Sequence, residues 1–266
     1  MTDTRRPIAM RPWINLLSVL ATITVNALAN IIPFNGQNTG QISDRFKVYF
    51  VPAGYVFAIW GLIYIAWLAF CVYQLLPAHR ERPRFRALGY WFVLSGVLNS
   101  LWLVCWHYNQ FILSLVVMVL LLLTLIACYI KLGVGHTRGS TAERWCVDVP
   151  FGLYLGWISV ATIANVGDVL YLVQWSGWGV APQVWTVLML VVATLLGAAM
   201  VWFHRDTAFV LVLAWAFVGI AKMHTSAKAM PDAGLVVQAA WAAAGAAMVL
   251  AIVSVRARLQ AARATA

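Results

Sequence analysis

Two sets of residues in this chain place a hydrogen-bonding amide beside a flat aromatic wall. Asn99 and Trp102 lie three residues apart in the apolar run 94–106. Trp157, Ala161, Thr162 and Asn165 fall in the apolar run 149–173. Spacings of three, four and eight residues put each set on one stripe of an α-helix. An amide in hydrocarbon must find a partner, so both stripes are predicted to face the protein interior. An amide beside tryptophan suits a pocket for a flat, mostly apolar small molecule. The same residues also have a structural reading, as packing groups and interhelical hydrogen bonds. On that reading Asn99 pairs with Asn165 or Asn26.

Other chemistry is sparse. Cys71, Cys105, Cys128 and Cys146 are scattered and read as free thiols acting as small hydrophobes. The five histidines make no HxxxH or HExxH, so no metal site is assigned. No nucleophile–base pair or phosphate loop appears; no catalytic residue is assigned, and the balance is against an enzyme. His107 and His224 are expected at helix ends on one side of the membrane, where imidazole is either interfacial or a haem ligand. Asp168 lies inside a span, a costly place for a carboxylate, and reads as an ion or proton path or as an end that reaches water. Asp148 reads as a helix N-terminal charge. The run 125–131 fits a proposed cholesterol pattern, which is too permissive to assign sterol specificity.

The elements that must hold these residues are membrane helices. The chain of 266 residues is 63% hydrophobic and 10% charged, with a mean hydropathy of +0.84. A soluble domain would be about one quarter charged. The predicted fold class is therefore all-α, a polytopic membrane bundle. Eight spans are predicted, at 13–33, 52–76, 87–107, 110–132, 149–174, 181–203, 207–225 and 233–255. Of the fourteen tryptophans, Trp13, Trp145, Trp175 and Trp178 sit near run ends and suit an interfacial belt. Trp60, Trp67, Trp102, Trp157 and Trp215 lie deeper.

Alternating spans put Arg5, Arg6, Arg11, Arg80, Arg82, Arg84, Arg86, Lys131, Arg138, Arg144, Arg205, Arg256, Arg258 and Arg263 on one side. Only Arg45, Lys47, Lys222 and Lys228 fall on the other. This bias predicts cytoplasmic termini and a bacterial inner membrane. The net charge of +10 is then a topology signal, and no nucleic-acid partner is expected. A cleaved signal peptide is the alternative for the N-terminus. Asn15, Thr22, Asn26 and Asn30, near one stripe, favour a retained helix. The segment 34–51 carries Phe46, Val48 and Phe50 among polar residues; it reads as a lid over the bundle or as a plain connector. Arg45 and Lys47 in it are candidate cations at a pocket mouth.

Three segments together resemble the tryptophan-rich sensory protein family, also called the translocator protein or peripheral benzodiazepine receptor family. Pro52-Ala53-Gly54-Tyr55-Val56-Phe57-Ala58-Ile59-Trp60, with Tyr64 beyond it, is similar to the family's second-helix motif, with Ala53 and Tyr55 substituted and one residue fewer before Trp60. Leu98-Asn99-Ser100-Leu101-Trp102 is similar to its Leu-Asn-x-x-Trp. Trp157, Ala161, Thr162 and Asn165 keep the spacing of Trp-x-x-x-Ala-Thr-x-x-Asn. The resemblance covers roughly residues 10–175. It divides the chain into a five-helix part, 1–175, and a three-helix C-terminal membrane extension, 176–266.

The resemblance implies a ligand-binding or sensory membrane protein that takes a porphyrin (tetrapyrrole) or other flat apolar molecule into the bundle. The implied lining is Trp60, Tyr64, Asn99, Trp102, Trp157, Ala161 and Asn165, and no cofactor is required. The alternatives are a small-molecule transporter and a porphyrin-degrading photochemical enzyme. Membrane lipid is an expected partner. Gly197, Gly219, Gly234 and Gly245 would permit close helix packing or a homodimer.

Overall fold

The computed structural model describes residues 10–136 and 140–263. Arg5, Arg6 and Arg138 lie outside the described residues. Eight apolar helices run through the molecule: α1 (Met10–Ile31), α2 (Ile59–Leu75), α3 (Trp91–His107), α4 (Phe111–Leu132), α5 (Val149–Leu172), α6 (Pro182–His204), α7 (Thr207–Met223) and α8 (Gly234–Arg263). Six are long and apolar enough to cross a membrane, some with the turns that precede them, and α3 and α7 are shorter apolar helices. Seventeen residues rise about 25 Å, near the lower limit for a span. The predicted all-α polytopic bundle is what the chain forms.

Helices α1 to α5 close a ring. Helix α1 packs against α2 and α3, α3 against α4, α4 against α5, and α5 against α2. Helix α7 lies on the outer side of α5, and α6 and α8 pack on α7 and on each other. One continuous apolar core runs through both groups. Helix α1 turns its polar stripe inward: Asn15, Thr22 and Asn26 are buried. Asn15 donates to Gln74 Oε1 of α2 at 2.8 Å. Gly96 of α3 lets that helix close on the Ser18 and Thr22 hydroxyls, which a Cβ there would meet at 2.7 and 2.8 Å.

Three starts differ from the predicted spans for physical reasons. The second is delayed to Ile59 because Gly54–Ala58 winds as a tighter 3-10 turn ahead of it. The third is delayed because Pro83–Leu88 forms its own short helix, ended by Gly89 at φ +56°. The fifth begins earlier, at Thr141 behind the Ser140 cap, and passes through a widened turn at Arg144–Asp148. Pro150 has no N–H to give to the preceding turn and its ring crowds the carbonyl there, so the helix widens just before it. Arg84 braces that turn. It donates to Glu143 Oε1 at 2.8 Å, to Asp148 and to the Leu132 carbonyl. Asp148 is thus an ion-pair partner as well as a helix-terminal charge.

At the same end of the bundle the Asp206 carboxylate caps α7 through the Phe209 N–H at 3.0 Å and accepts the Tyr129 hydroxyl at 2.7 Å. Burial pushes its carboxyl above the ordinary aspartate value, and these two donors pull the other way.

The segment 34–51 folds back over the bundle. Its short helix Thr39–Ser43 is capped by Asn38 and Gln41, each side chain serving the other's backbone N–H. Phe46 sinks among Trp106, Phe111 and Tyr171. The end of this strap is held by the C-terminal helices. The Tyr49 hydroxyl donates to Pro231 O at 2.7 Å and accepts from Gln183 at 2.9 Å. His224 Nε2 meets Tyr49 O at 2.8 Å. The Ala53 N–H donates to Gly219 O, and Trp215 Nε1 to Val56 O, both at 3.0 Å. A Cβ at Gly219 would lie 2.2 Å from Val56 Cγ2 and 3.1 Å from Pro52 Cβ. Gly219→Ala is therefore expected to destabilise the detergent-solubilised protein by about 1–3 kcal/mol, read as a lower midpoint in a thermal melt.

Candidate functional site

The five-helix ring encloses two adjoining spaces beneath the strap. The outer cavity has a volume of about 530 Å³, within the range of small-molecule pockets. Asn26, Asn30 and Ile31 of α1, Asn38 to Gln41 of the strap, Phe57 of the turn before α2, Trp60 and Tyr64 of α2 and Trp102 of α3 line it. The inner chamber is only about 40 Å³ and reaches α5, where Trp157, Ala161, Asn165 and Asp168 face it. Thr39, Phe57, Trp60 and Trp102 border both spaces.

Aromatic rings make most of the walls. Trp60 stacks on Tyr64 at 5.7 Å and meets Trp157 edge-on at 6.3 Å, 84° between planes. Phe57 meets Trp157 at 5.8 Å, again at 84°. Trp102 stacks on Trp106 at 5.8 Å. The i, i+4 spacing of Trp60 and Tyr64, and of Trp102 and Trp106, sets these stacks on single helix faces.

The amides divide between fold and cavity. Asn165 Oδ1 accepts Trp102 Nε1 at 3.2 Å and its amide donates to Ser114 Oγ at 3.3 Å, so it ties α5 to α3 and α4 while lining the inner chamber. Asn99 is fully buried, accepts the Asn26 amide at 2.9 Å and donates to the Tyr154 hydroxyl at 3.3 Å. It lines neither space; of its two structural partners, Asn26 is the one it meets. The seven residues named in the sequence analysis, on α2, α3 and α5, are thus brought together, six on the walls and Asn99 behind them.

Arg45 and Lys47 do not line the cavity. Arg45 donates to Gln37 and to Asn109 Oδ1, and lies 5.4 Å over the Phe111 ring. The charged residue on the outer wall is Asp44, which pairs with Lys228 at 2.5 Å. Its side-chain exposure at a short helix's end gave no sequence signal. His107 is committed at both nitrogens, to Thr39 Oγ1 at 3.1 Å and Phe34 O at 3.2 Å, and so pins the strap instead of offering a ligand nitrogen. His224, held by Tyr49 O, does the same at the other end, and burial pushes its pKa below the ordinary histidine value. Asp168 is 3% exposed and turned to the inner chamber, not to water at the helix end.

Compared with known proteins, the sequence matches the family model described as TSPO-like protein over residues 12–255. The chain belongs to the TSPO-like protein family. The match runs through all eight helices, α6 to α8 included. No curated protein and no solved structure matches the chain. Family membership together with the apolar helices makes this TSPO-like chain a multi-pass integral membrane protein.

Asn99→Ala would leave the buried Asn26 amide without its interhelical acceptor. It is expected to cost about 0.6–1.7 kcal/mol in a detergent unfolding titration, the range of single interhelical hydrogen bonds in membranes.

Proposed function

We propose that this TSPO-like protein is a ligand-binding, sensory membrane protein that takes a flat, mostly apolar small molecule into the outer cavity, against Trp60, Tyr64 and Trp102. The observation that carries this reading is the stack of Trp60 on Tyr64 along a cavity of drug-like volume, under a strap whose short helix is capped by its own Asn38 and Gln41 side chains. Stacking on rings rewards flat bodies and costs little conformational entropy, because each ring turns about only two bonds. Trp157, Ala161 and Asn165 bound the deep end of the same space. A tetrapyrrole is the candidate that the family resemblance supplies. Among the described residues no lysine, arginine or histidine lines either space. Tetrapyrrole carboxylates would therefore stay at the mouth, in water. We further propose that the arginine-rich end, with both termini, faces the cytoplasm of a bacterial inner membrane.

The test is a tryptophan-fluorescence titration of the purified protein with protoporphyrin and with its dimethyl ester. Saturable quenching is expected, with the ester binding at least as tightly as the diacid. Trp60→Ala and Tyr64→Ala are each expected to weaken it about tenfold, at roughly 1.4 kcal/mol per tenfold. Trp202→Ala, at a ring that is 83% exposed, is expected to leave it unchanged. Quenching that never saturates, or that Trp60→Ala leaves intact, would remove this reading.

A further inference from the structure

We infer that the inner chamber is a site for an organic ammonium group, so that the preferred ligand is a flat apolar body carrying a cationic nitrogen at its inner tip. This rests on the reading of the outer cavity as a pocket for a flat body, and it specifies what the deep end selects.

The first observation is the carboxylate. Asp168 is 3% exposed and faces the chamber, and no hydrogen bond among the described residues engages it. A buried carboxylate without a partner is costly in a bundle interior, and such groups mark sites where a partner binds. The other buried or half-buried acids among the described residues are answered by protein groups: Glu143 and Asp148 by Arg84, Asp44 by Lys228, Asp206 by Tyr129 and the Phe209 N–H. Asp168 is answered by none.

The second observation is the walls. Trp157 stands nearly perpendicular to both Phe57 and Trp60, and the stacked Trp102 and Trp106 border the same chamber. Rings set at right angles form the corner of a box whose faces carry negative quadrupole charge. Such aromatic boxes hold alkylammonium groups through cation–π attraction, strengthened where water is excluded. The chamber's size agrees: about 40 Å³ exceeds the roughly 10–15 Å³ that one water needs and falls well short of the roughly 150 Å³ apolar cavity that takes a benzene ring, so it suits an ammonium head and not a ring. The shared borders Phe57, Trp60 and Trp102 let one molecule occupy both spaces, head inside and body outside. A bare metal ion fits less well, because hard cations take six or more oxygen ligands and these walls are mostly carbon. An anionic head meets Asp168 with no cation on either lining.

The experiment uses three probes with one flat body: 1-pyrenemethylamine, 1-pyrenemethanol and 1-pyrenecarboxylate. Each is titrated at neutral pH into the full chain in detergent, with tryptophan-to-pyrene energy transfer as the readout. The ammonium probe is expected to bind at least about tenfold tighter than the alcohol, and the carboxylate weakest. Asp168→Asn is expected to reduce affinity for the ammonium probe to that of the alcohol. Equal, saturable binding of ammonium and alcohol by the native protein overturns the ammonium site and leaves the flat-ligand pocket standing. Ammonium preference that persists in Asp168→Asn also overturns it. Saturable binding of none of the three overturns the site and the pocket together.

Discussion

An amide inside a membrane bundle has no water to turn to, and in this protein that constraint sets the rotation of the helices. Asn15 must meet Gln74, Asn26 must meet Asn99, and Asn165 must meet Trp102 and Ser114. The first two and the Ser114 bond join neighbouring helices of the ring, and the Trp102 bond crosses it from α3 to α5. Once α1, α3, α4 and α5 are turned to make these bonds, Trp102 and Trp157 point inward as a consequence. The aromatic walls of the cavity are thus positioned by polar groups beside them. An interhelical hydrogen bond contributes only about 0.6–2 kcal/mol. Its weight here lies in orientation more than in stability, since the apolar faces alone would tolerate several rotations.

The second determinant is the seam between the strap and the C-terminal helices. Residues 44–56 give their backbone groups and Tyr49 to partners on α6, α7 and the turn after α7. Gly219 permits this, because any side chain there would run into Val56. Helix α7 is buried along most of its length for the same reason: it stands between α5, α6, α8 and the strap. The roof of the cavity therefore belongs to the N-terminal half in sequence and is held by the C-terminal half in space.

Much of this was legible in the sequence, because membrane helices announce themselves through apolar length. The eight spans correspond one to one with the eight helices, and the bounds depart most at the start of α2, at Gly89, before Pro150 and at the end of α8, which runs on to Arg263. The inward stripes of α1, α3 and α5 followed from residue spacing, Trp60 and Tyr64 came only with the family resemblance, and the rest of the outer wall, Asn26, Asn30 and the strap residues Asn38 to Gln41, was not assigned to it. What the spacing could not show was partner choice. Asn99 shares a stripe with Trp102 yet points to Asn26 and Tyr154, since a stripe fixes a face and not a neighbour. Arg45 and Lys47 appeared to guard the mouth because charge in a loop is easy to see. Arg45 instead folds onto Phe111 and Asn109, and Asp44 takes the wall. His107 and His224 carried a ligand-like signal, but a histidine at a helix end is equally a donor to a nearby carbonyl. The seam was invisible because its bonds use backbone groups separated by more than 150 residues.

That seam also has a bearing on biosynthesis. Chains enter a membrane from the N-terminus, and early helices pack before late ones exist. The five-helix ring can assemble as soon as α5 is in place, but its strap then has no holder for Tyr49, Ala53 or Val56. Those partners arrive only with Trp215, Gly219, His224 and Pro231. The near end of the strap is pinned early, by His107 and Trp106 of α3, whereas its far end, from Tyr49 to Val56, gains its partners only from the last third of the chain, so the roof is completed in two stages.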